Sequence, residues 1–148
     1  IMPNTIQLSE NKFLMTCRQI NNPKTPLEST IDAYISTDRC ETWNYAGKIT
    51  EIKTNSYPPA VVKLDDGRLY CIYGDRDAEK VCGRYSSDEG KTWSEEFVIR
   101  DGYKSFDDWA DMGYPRLVKR PDGKLVAMYY WASEQNPQHH IATSIWKP

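Results

Sequence analysis

The sequence is poor in several things, and each shortage excludes something. Among its 148 residues there are 3 Phe and 2 His. No uncharged apolar run is long enough to cross a bilayer as a helix, and the mean hydropathy is −0.71, so a transmembrane helix is excluded. Neither sign of charge dominates, with 19 Lys+Arg against 21 Asp+Glu and a formal net charge of −2; nothing draws the chain toward nucleic acid. The four cysteines, Cys17, Cys40, Cys71 and Cys82, form no C-x-x-C pair. They are too few for a disulfide framework, and no structural zinc site is expected. His139 and His140 are adjacent in or before a strand and face opposite ways, which disfavours joint ligation of a metal. Helical periodicity is nearly absent, and only Ser105 to Asp111 could make a short helical turn. What the chain does have is 5 Trp and 10 Tyr, rings with an apolar body and a polar tip that suit half-buried strands and sugar- or peptide-binding surfaces.

An internal period organises the chain. Pro3, Pro59 and Pro115 are 56 residues apart and open three similar runs, PNTIQLSENKFLMTC, PAVVKLDDGRLYCIY and PRLVKRPDGKLVAMY. Each run reads as a hairpin. A short strand rich in Val, Ile and Leu meets a tight turn (Ser9-Glu10-Asn11, Asp65-Asp66-Gly67, Pro121-Asp122-Gly123), where Asn or Gly can take a positive φ. A second strand follows, and after a loop a third, from Asp32, Val81 and His140. The first two copies add a fourth strand, Ala46 to Ile52 and Phe97 to Arg100; the third copy stops before one. Cys71 and Cys82 are expected near each other across a hairpin or simply buried. Repeated four-stranded sheets are the signature of β-propeller blades, with a solenoid or a β-sandwich as the competing architecture. The expectation is an all-β chain of three four-stranded antiparallel blades, approximately 1–54, 55–104 and 112–148, the last lacking its fourth strand.

After the third strand the second copy reads Ser86-Ser87-Asp88-Glu89-Gly90-Lys91-Thr92-Trp93 and the first reads Ser36-Thr37-Asp38-Arg39-Cys40-Glu41-Thr42-Trp43. Ser86, Asp88, Gly90, Thr92 and Trp93 match Ser-x-Asp-x-Gly-x-Thr-Trp throughout. Ser36, Asp38, Thr42 and Trp43 match it with Cys40 in place of Gly. Physically the Ser and Asp side chains accept backbone N–H groups, Gly takes a positive φ, and Trp folds back as a wedge. Cys40 in a left-handed conformation costs about 1–2 kcal/mol relative to Gly, which predicts a different geometry for the first turn.

These residues resemble the Asp-box, or BNR repeat, of the sialidase superfamily. CIYGDRD, DMGYPRLVKRPDGKLVAMYYW and HIATSIWKP extend the resemblance over nearly the whole chain, which looks like the C-terminal half of a six-bladed bacterial exo-sialidase-like propeller. The resemblance implies a structural role for the boxes, a carbohydrate ligand, no cofactor and a secreted or periplasmic setting. It leaves two ways of closing the ring: further blades before Ile1, or a homodimer of two three-blade chains.

In that superfamily three arginines grip a substrate carboxylate, a tyrosine paired with a glutamate is the nucleophile, and an aspartate is acid/base. The resemblance places Tyr114 at the nucleophile position, although Gly113-Tyr114-Pro115-Arg116 departs from the family's Tyr-Ser-Ser, and a channel-lining aromatic is the other reading. Arg116 shares a strand face with Tyr114 and is the leading candidate for anion contact. Arg76 and Arg18 are further candidates, with surface or loop salt bridges as the alternative. The family's Arg-Ile-Pro arginine is absent, since the chain reads Ile1-Met2-Pro3. Asp107, Asp108 and Asp111 make an acidic loop in which Asp108 or Asp111 could serve as acid/base and Trp109 as a sugar platform; a solvated loop is the alternative. Trp131 is a further candidate for ligand contact. Two functions follow, an exo-glycosidase acting on a terminal acidic sugar, or a non-catalytic propeller binding carbohydrate or a protein.

Overall fold

The computed structural model describes residues 2–20, 29–52, 57–105 and 111–148. It is all β: no helix occurs among the described residues. The first antiparallel sheet contains β1 (Asn4–Ser9), β2 (Lys12–Ile20), β3 (Ser29–Ser36) and β4 (Asn44–Ile52) in that order. The second repeats it with β5 (Ala60–Lys63), β6 (Leu69–Asp75), β7 (Lys80–Ser86) and β8 (Phe97–Arg100). The third has β9 (Gly113–Lys119), β10 (Leu125–Trp131) and β11 (His140–Trp146) and no fourth strand. The opening strands β1, β5 and β9 neighbour one another in succession, the arrangement of inner strands in three β-propeller blades. The short helical turn expected over Ser105 to Asp111 falls largely on 106–110, outside the described residues.

Local chemistry makes the hairpins. Gly67 and Gly123 take φ of 88° and 78°, and their N–H groups donate to Leu64 O (3.1 Å) and Arg120 O (3.0 Å). Asp66 and Asp122 each accept the backbone N–H two residues on. The two-residue turn of the first hairpin does without a left-handed Asn11; the Asn11 Oδ1 accepts from Arg39 Nε at 2.6 Å instead.

Strand alternation gives each sheet two faces, and every interface joins one face of a sheet to the opposite face of the next. Leu14, Ile31 and Ala33 of the first sheet share a core with Val61, Leu69, Cys71, Tyr73 and Cys82 of the second. Ala60, Tyr70, Ile72 and Val81, on the second sheet's other face, share a core with Leu117, Leu125, Ala127, Tyr129 and Ala142 of the third. Cys71 lies opposite Arg84 and Cys82 opposite Tyr73 in the β6–β7 register. Both are buried free thiols whose pKa is pushed up by burial.

The two Ser-x-Asp turns hold the end of the blades where the hairpin turns lie. Ser86 Oγ accepts Gly90 N–H at 2.9 Å and Asp88 accepts Thr92 N–H at 2.9 Å. In the first turn the same bonds run from Cys40 N (2.9 Å) and Thr42 N (3.0 Å). The expectation of a different first turn fails: Cys40 takes φ 73° against 87° for Gly90, and Arg39 and Glu89 match at 61° and 60°. The side-chain and backbone hydrogen bonds outweigh the left-handed penalty, and Cys40 is exposed, so its Cβ meets no neighbouring sheet. Gly90 has no such room. A Cβ there would stand 2.7 Å from Leu14 Cδ1, because the second turn packs against the first sheet.

Candidate functional site

At the opposite end of the sheets, the links between sheets and the loops after β6 and β10 come together. Tyr57 precedes β5, Arg76 follows β6, and Tyr103, Asp111 and Met112 lie between β8 and β9. Tyr57 is the hub. Its ring is fully buried, pressed on Gly74 and Gly113, where an added Cβ would come within 3.0 and 2.8 Å of it. Gly113 also needs its φ of 100°, so two constraints select glycine there. The Tyr57 hydroxyl accepts from Arg76 Nε and from Met112 N–H (3.0 Å) and donates to Asp111 Oδ1 at 3.3 Å. Burial pushes the Tyr57 phenol up to about 12, so this donor stays intact at neutral pH.

Arg76 bridges both partners. Its guanidinium lies 4.2 Å from the centroid of the Tyr57 ring and 3.7 Å from Asp111 Oδ1. A second hydroxyl pins the same segment: Tyr103 accepts Asp111 N–H at 3.1 Å and lies 2.7 Å from His139 Nε2. Asp111 is therefore held through its backbone by Tyr103 and through one carboxylate oxygen by Tyr57 and Arg76. Its side chain remains half exposed.

Asp111 opens onto a cleft of about 630 Å³ lined by Tyr114, Arg116, Met128, Tyr130 and Ile141, a size that suits a small ligand. Tyr114 takes φ 51° directly after Gly113, and the β9–β10 register shifts at this point. The kink leaves its ring 4.9 Å from Tyr57 and 6.1 Å from Tyr130. A bulky residue held left-handed marks local strain, which concentrates at ligand-contacting positions. Arg116 donates to the carbonyl of Pro115 at 3.3 Å and is exposed.

Of the residues singled out from sequence, Tyr114, Arg116, Asp111 and Arg76 come together here. Arg18 lies on β2 opposite Ile31, outside the cleft lining. Asp107, Asp108 and Trp109 lie outside the described residues. Trp131 is corrected: it is fully buried, with Tyr103 at 5.6 Å and the Arg100 guanidinium at 4.7 Å, and it faces the core because the β10 pleat puts Tyr129 and Trp131 on the buried side. Sequence reading missed Tyr57 and Tyr103. Tyr57 was traceable, since the 56-residue frame sets it level with Gly113, next to Tyr114; nothing local marked Tyr103. His139 and His140 diverge, with His140 Nδ1 bonded to Gln138 O, and no cluster of three metal-ligating side chains occurs among the described residues.

The arrangement offers an oriented carboxylate with one oxygen uncommitted to Tyr57, two tyrosine rings and an arginine. These can accept a hydroxyl, stack on an apolar ring face and meet an anion. Among the described cleft residues Asp111 is the one carboxylate.

A family profile described as BNR repeat-like domain matches residues 1–127. Among curated proteins none matches the sequence. Among solved structures, the α-L-arabinofuranosidase of Fusarium graminearum in complex with arabinobiose is similar at a TM-score of 0.76 and 19% identity, over 99% of this chain and 46% of that one. The Penicillium chrysogenum α-L-arabinanase complexed with arabinobiose is similar at 0.69 and 19% identity, over 90% of this chain and 40% of that one. A polysaccharide lyase, an ulvan lyase, is similar at 0.58 and 17% identity, over 89% and 32%. The chain thus spans less than half the length of these structures, and at such identities the likeness is one of fold.

Proposed function

Because the chain belongs to the BNR repeat-like domain family, we propose that it is part of a glycan-active propeller and binds carbohydrate at the Asp111–Tyr114 cleft. The observation that carries this is the Asp111 carboxylate, fixed by Tyr57, Arg76 and Tyr103 beside the Tyr114 and Tyr130 rings. Sugars present hydroxyls around apolar ring faces, and a pre-oriented acceptor next to an aromatic surface complements both. The similar structures include enzymes that process glycans, two of them complexed with arabinobiose.

The finer reading is an exo-glycosidase acting on a terminal acidic sugar, with Tyr114 as nucleophile, Asp111 or Asp108 as acid/base, and Arg116, Arg76, Arg18 and Trp109 contacting substrate. Arg116 at the cleft supports it. The departure of Gly113-Tyr114-Pro115-Arg116 from the superfamily's Tyr-Ser-Ser favours the second reading, a propeller that binds carbohydrate or a protein partner without cleaving glycans. Isothermal titration with arabino-oligosaccharides and sialyllactose tests the binding. Binding of either that is weakened about tenfold or more by Asp111→Asn or Tyr114→Ala supports the reading; no binding of either overturns it. Release of fluorophore from a fluorogenic sialoside, lost in Tyr114→Phe, supports the acidic-sugar hydrolase, and no release refutes it.

A further inference from the structure

We propose, on the reading of the Asp111–Tyr114 cleft as a carbohydrate site, that His139 is a positioning residue for it. While its imidazole is neutral it fixes the Tyr103 hydroxyl as the acceptor of the Asp111 N–H, and ligand affinity falls as His139 takes up a proton. The coupling of His139 to Asp111 exists with or without a ligand and is testable in the free protein.

The chemistry begins with one proton. Tyr103 is 4% exposed, and its hydroxyl makes two contacts, accepting Asp111 N–H at 3.1 Å and lying 2.7 Å from His139 Nε2. A backbone N–H can only donate, so the first bond occupies a lone pair and leaves the phenolic proton to find its own acceptor. Among the described residues that acceptor is His139 Nε2. The hydroxyl therefore donates to Nε2, and the proton of the neutral imidazole sits on Nδ1. Protonation of the ring adds an N–H at Nε2 and reverses this bond. The Tyr103 oxygen then accepts from both Asp111 and His139, and its own proton is left without a partner in a buried place. An unmet buried donor is unfavourable; it is relieved when the Tyr103 ring shifts, which loosens the bond from the Asp111 N–H.

The fold holds the pair in place. Lys104 N–H donates to Ala132 O at 3.1 Å, and Ser133 and Asn136 exchange backbone bonds of 2.9 and 3.0 Å. The loop after β10 is thus closed on itself and tied to the link that carries Tyr103. The Tyr103 and His139 rings lie 6.1 Å apart and are tilted by 35°, while Trp131 meets Tyr103 edge-on and carries Arg100 over its face. The charged and titratable groups on these elements are Arg100 at the end of β8, Asp101, Lys104 and Asp111 in the link, Glu134 in the loop and His140 at the start of β11. Asp111 pairs with Arg76, and His140 is bonded to Gln138 O and Asn136. Histidine is the side chain that changes charge between about pH 5 and 8. The chain has 2 of them, so His140 is the control for His139.

Two measurements on the 148-residue chain test this. In the ligand-free protein, NMR-detected hydrogen exchange should show the protection factor of the Asp111 amide falling about tenfold from about pH 8 to about pH 5. His140→Gln should keep that fall. His139→Gln should abolish it, because the glutamine oxygen accepts from Tyr103 throughout this range. Isothermal titration with arabino-oligosaccharides and sialyllactose should show affinity falling about tenfold over the same range in wild type and staying level in His139→Gln. An Asp111 amide equally protected at both ends of the range, or a loss of protection that persists in His139→Gln, overturns the coupling. Binding with the same pH dependence in His139→Gln as in wild type overturns the control of affinity. If neither ligand binds while protection still follows His139, the carbohydrate reading falls, and with it the effect on affinity, whereas the coupling of His139 to Asp111 is supported.

Discussion

Replacing Tyr57 by Phe removes one oxygen atom from the hub of the loop end and leaves the ring in place. The packing on Gly74 and Gly113, the contact with Tyr114 and the stacking of Arg76 are all ring properties, so they survive. What is lost is the acceptor of Met112 N–H and Arg76 Nε–H and the donor to Asp111. Met112 is wholly buried and its N–H loses this acceptor in a place water does not reach, which costs about 1–3 kcal/mol. Arg76 keeps Asp111 and some solvent access, with 14% of its side chain exposed, so its share lies at the low end of that range. The expected loss is about 2–3 kcal/mol, which for a chain of this length lowers the melting temperature by roughly 4–12 °C. Circular dichroism melts and urea titrations of wild type and Tyr57→Phe measure it. The variant should also blunt an alkaline effect. The folded phenol is raised to about 12 from about 10 in the unfolded chain, so the stability tied to its protonated form is complete below pH 10 and lost as the pH climbs toward 12. A variant that melts within about 2 °C of wild type and shows the same alkaline decline refutes the hub.

Two further predictions concern the Ser-x-Asp turns. Asp88 is held down to about 2, first by the Thr92 hydroxyl and then by its backbone N–H, and Asp38 likewise by Thr42. Their contribution is complete above the ordinary aspartate pKa and lost as the pH falls toward 2, so an Asp38→Asn/Asp88→Asn double variant should show a flatter stability profile between pH 4 and 2 in acid titrations followed by fluorescence. Gly90→Ala and Cys40→Gly should move stability in opposite directions in thermal melts. The first drives a Cβ to 2.7 Å from Leu14 at φ 87° and destabilises by about 1–3 kcal/mol; the second relieves a left-handed Cys40 and stabilises by up to about 1 kcal/mol. Equal shifts for both would contradict the account of the first turn.

The fold was legible because its signals are local. The 56-residue spacing, Gly67 and Gly123 at the hairpins and the Ser-x-Asp turns act through bonds between near neighbours, and those bonds form wherever the residues occur. Strand alternation sufficed to put Tyr114 and Arg116 on one cleft. It did not suffice for Trp131, which faces a core made by Tyr103 and Tyr129, because a lone aromatic on a strand does not declare which side of its pleat is covered.

By itself, then, the sequence determined three repeats, their strands and the turns that join them. Tertiary structure decided the rest: that Cys40 is tolerated where Gly90 is required, since only the second turn meets a neighbouring sheet, and that Tyr57, Arg76, Tyr103 and Asp111 form one network. These four stand on separate links and loops, up to 54 positions apart between Tyr57 and Asp111. The packing of sheet on sheet sets the distances between them, and no short-range pattern in the chain encodes that packing.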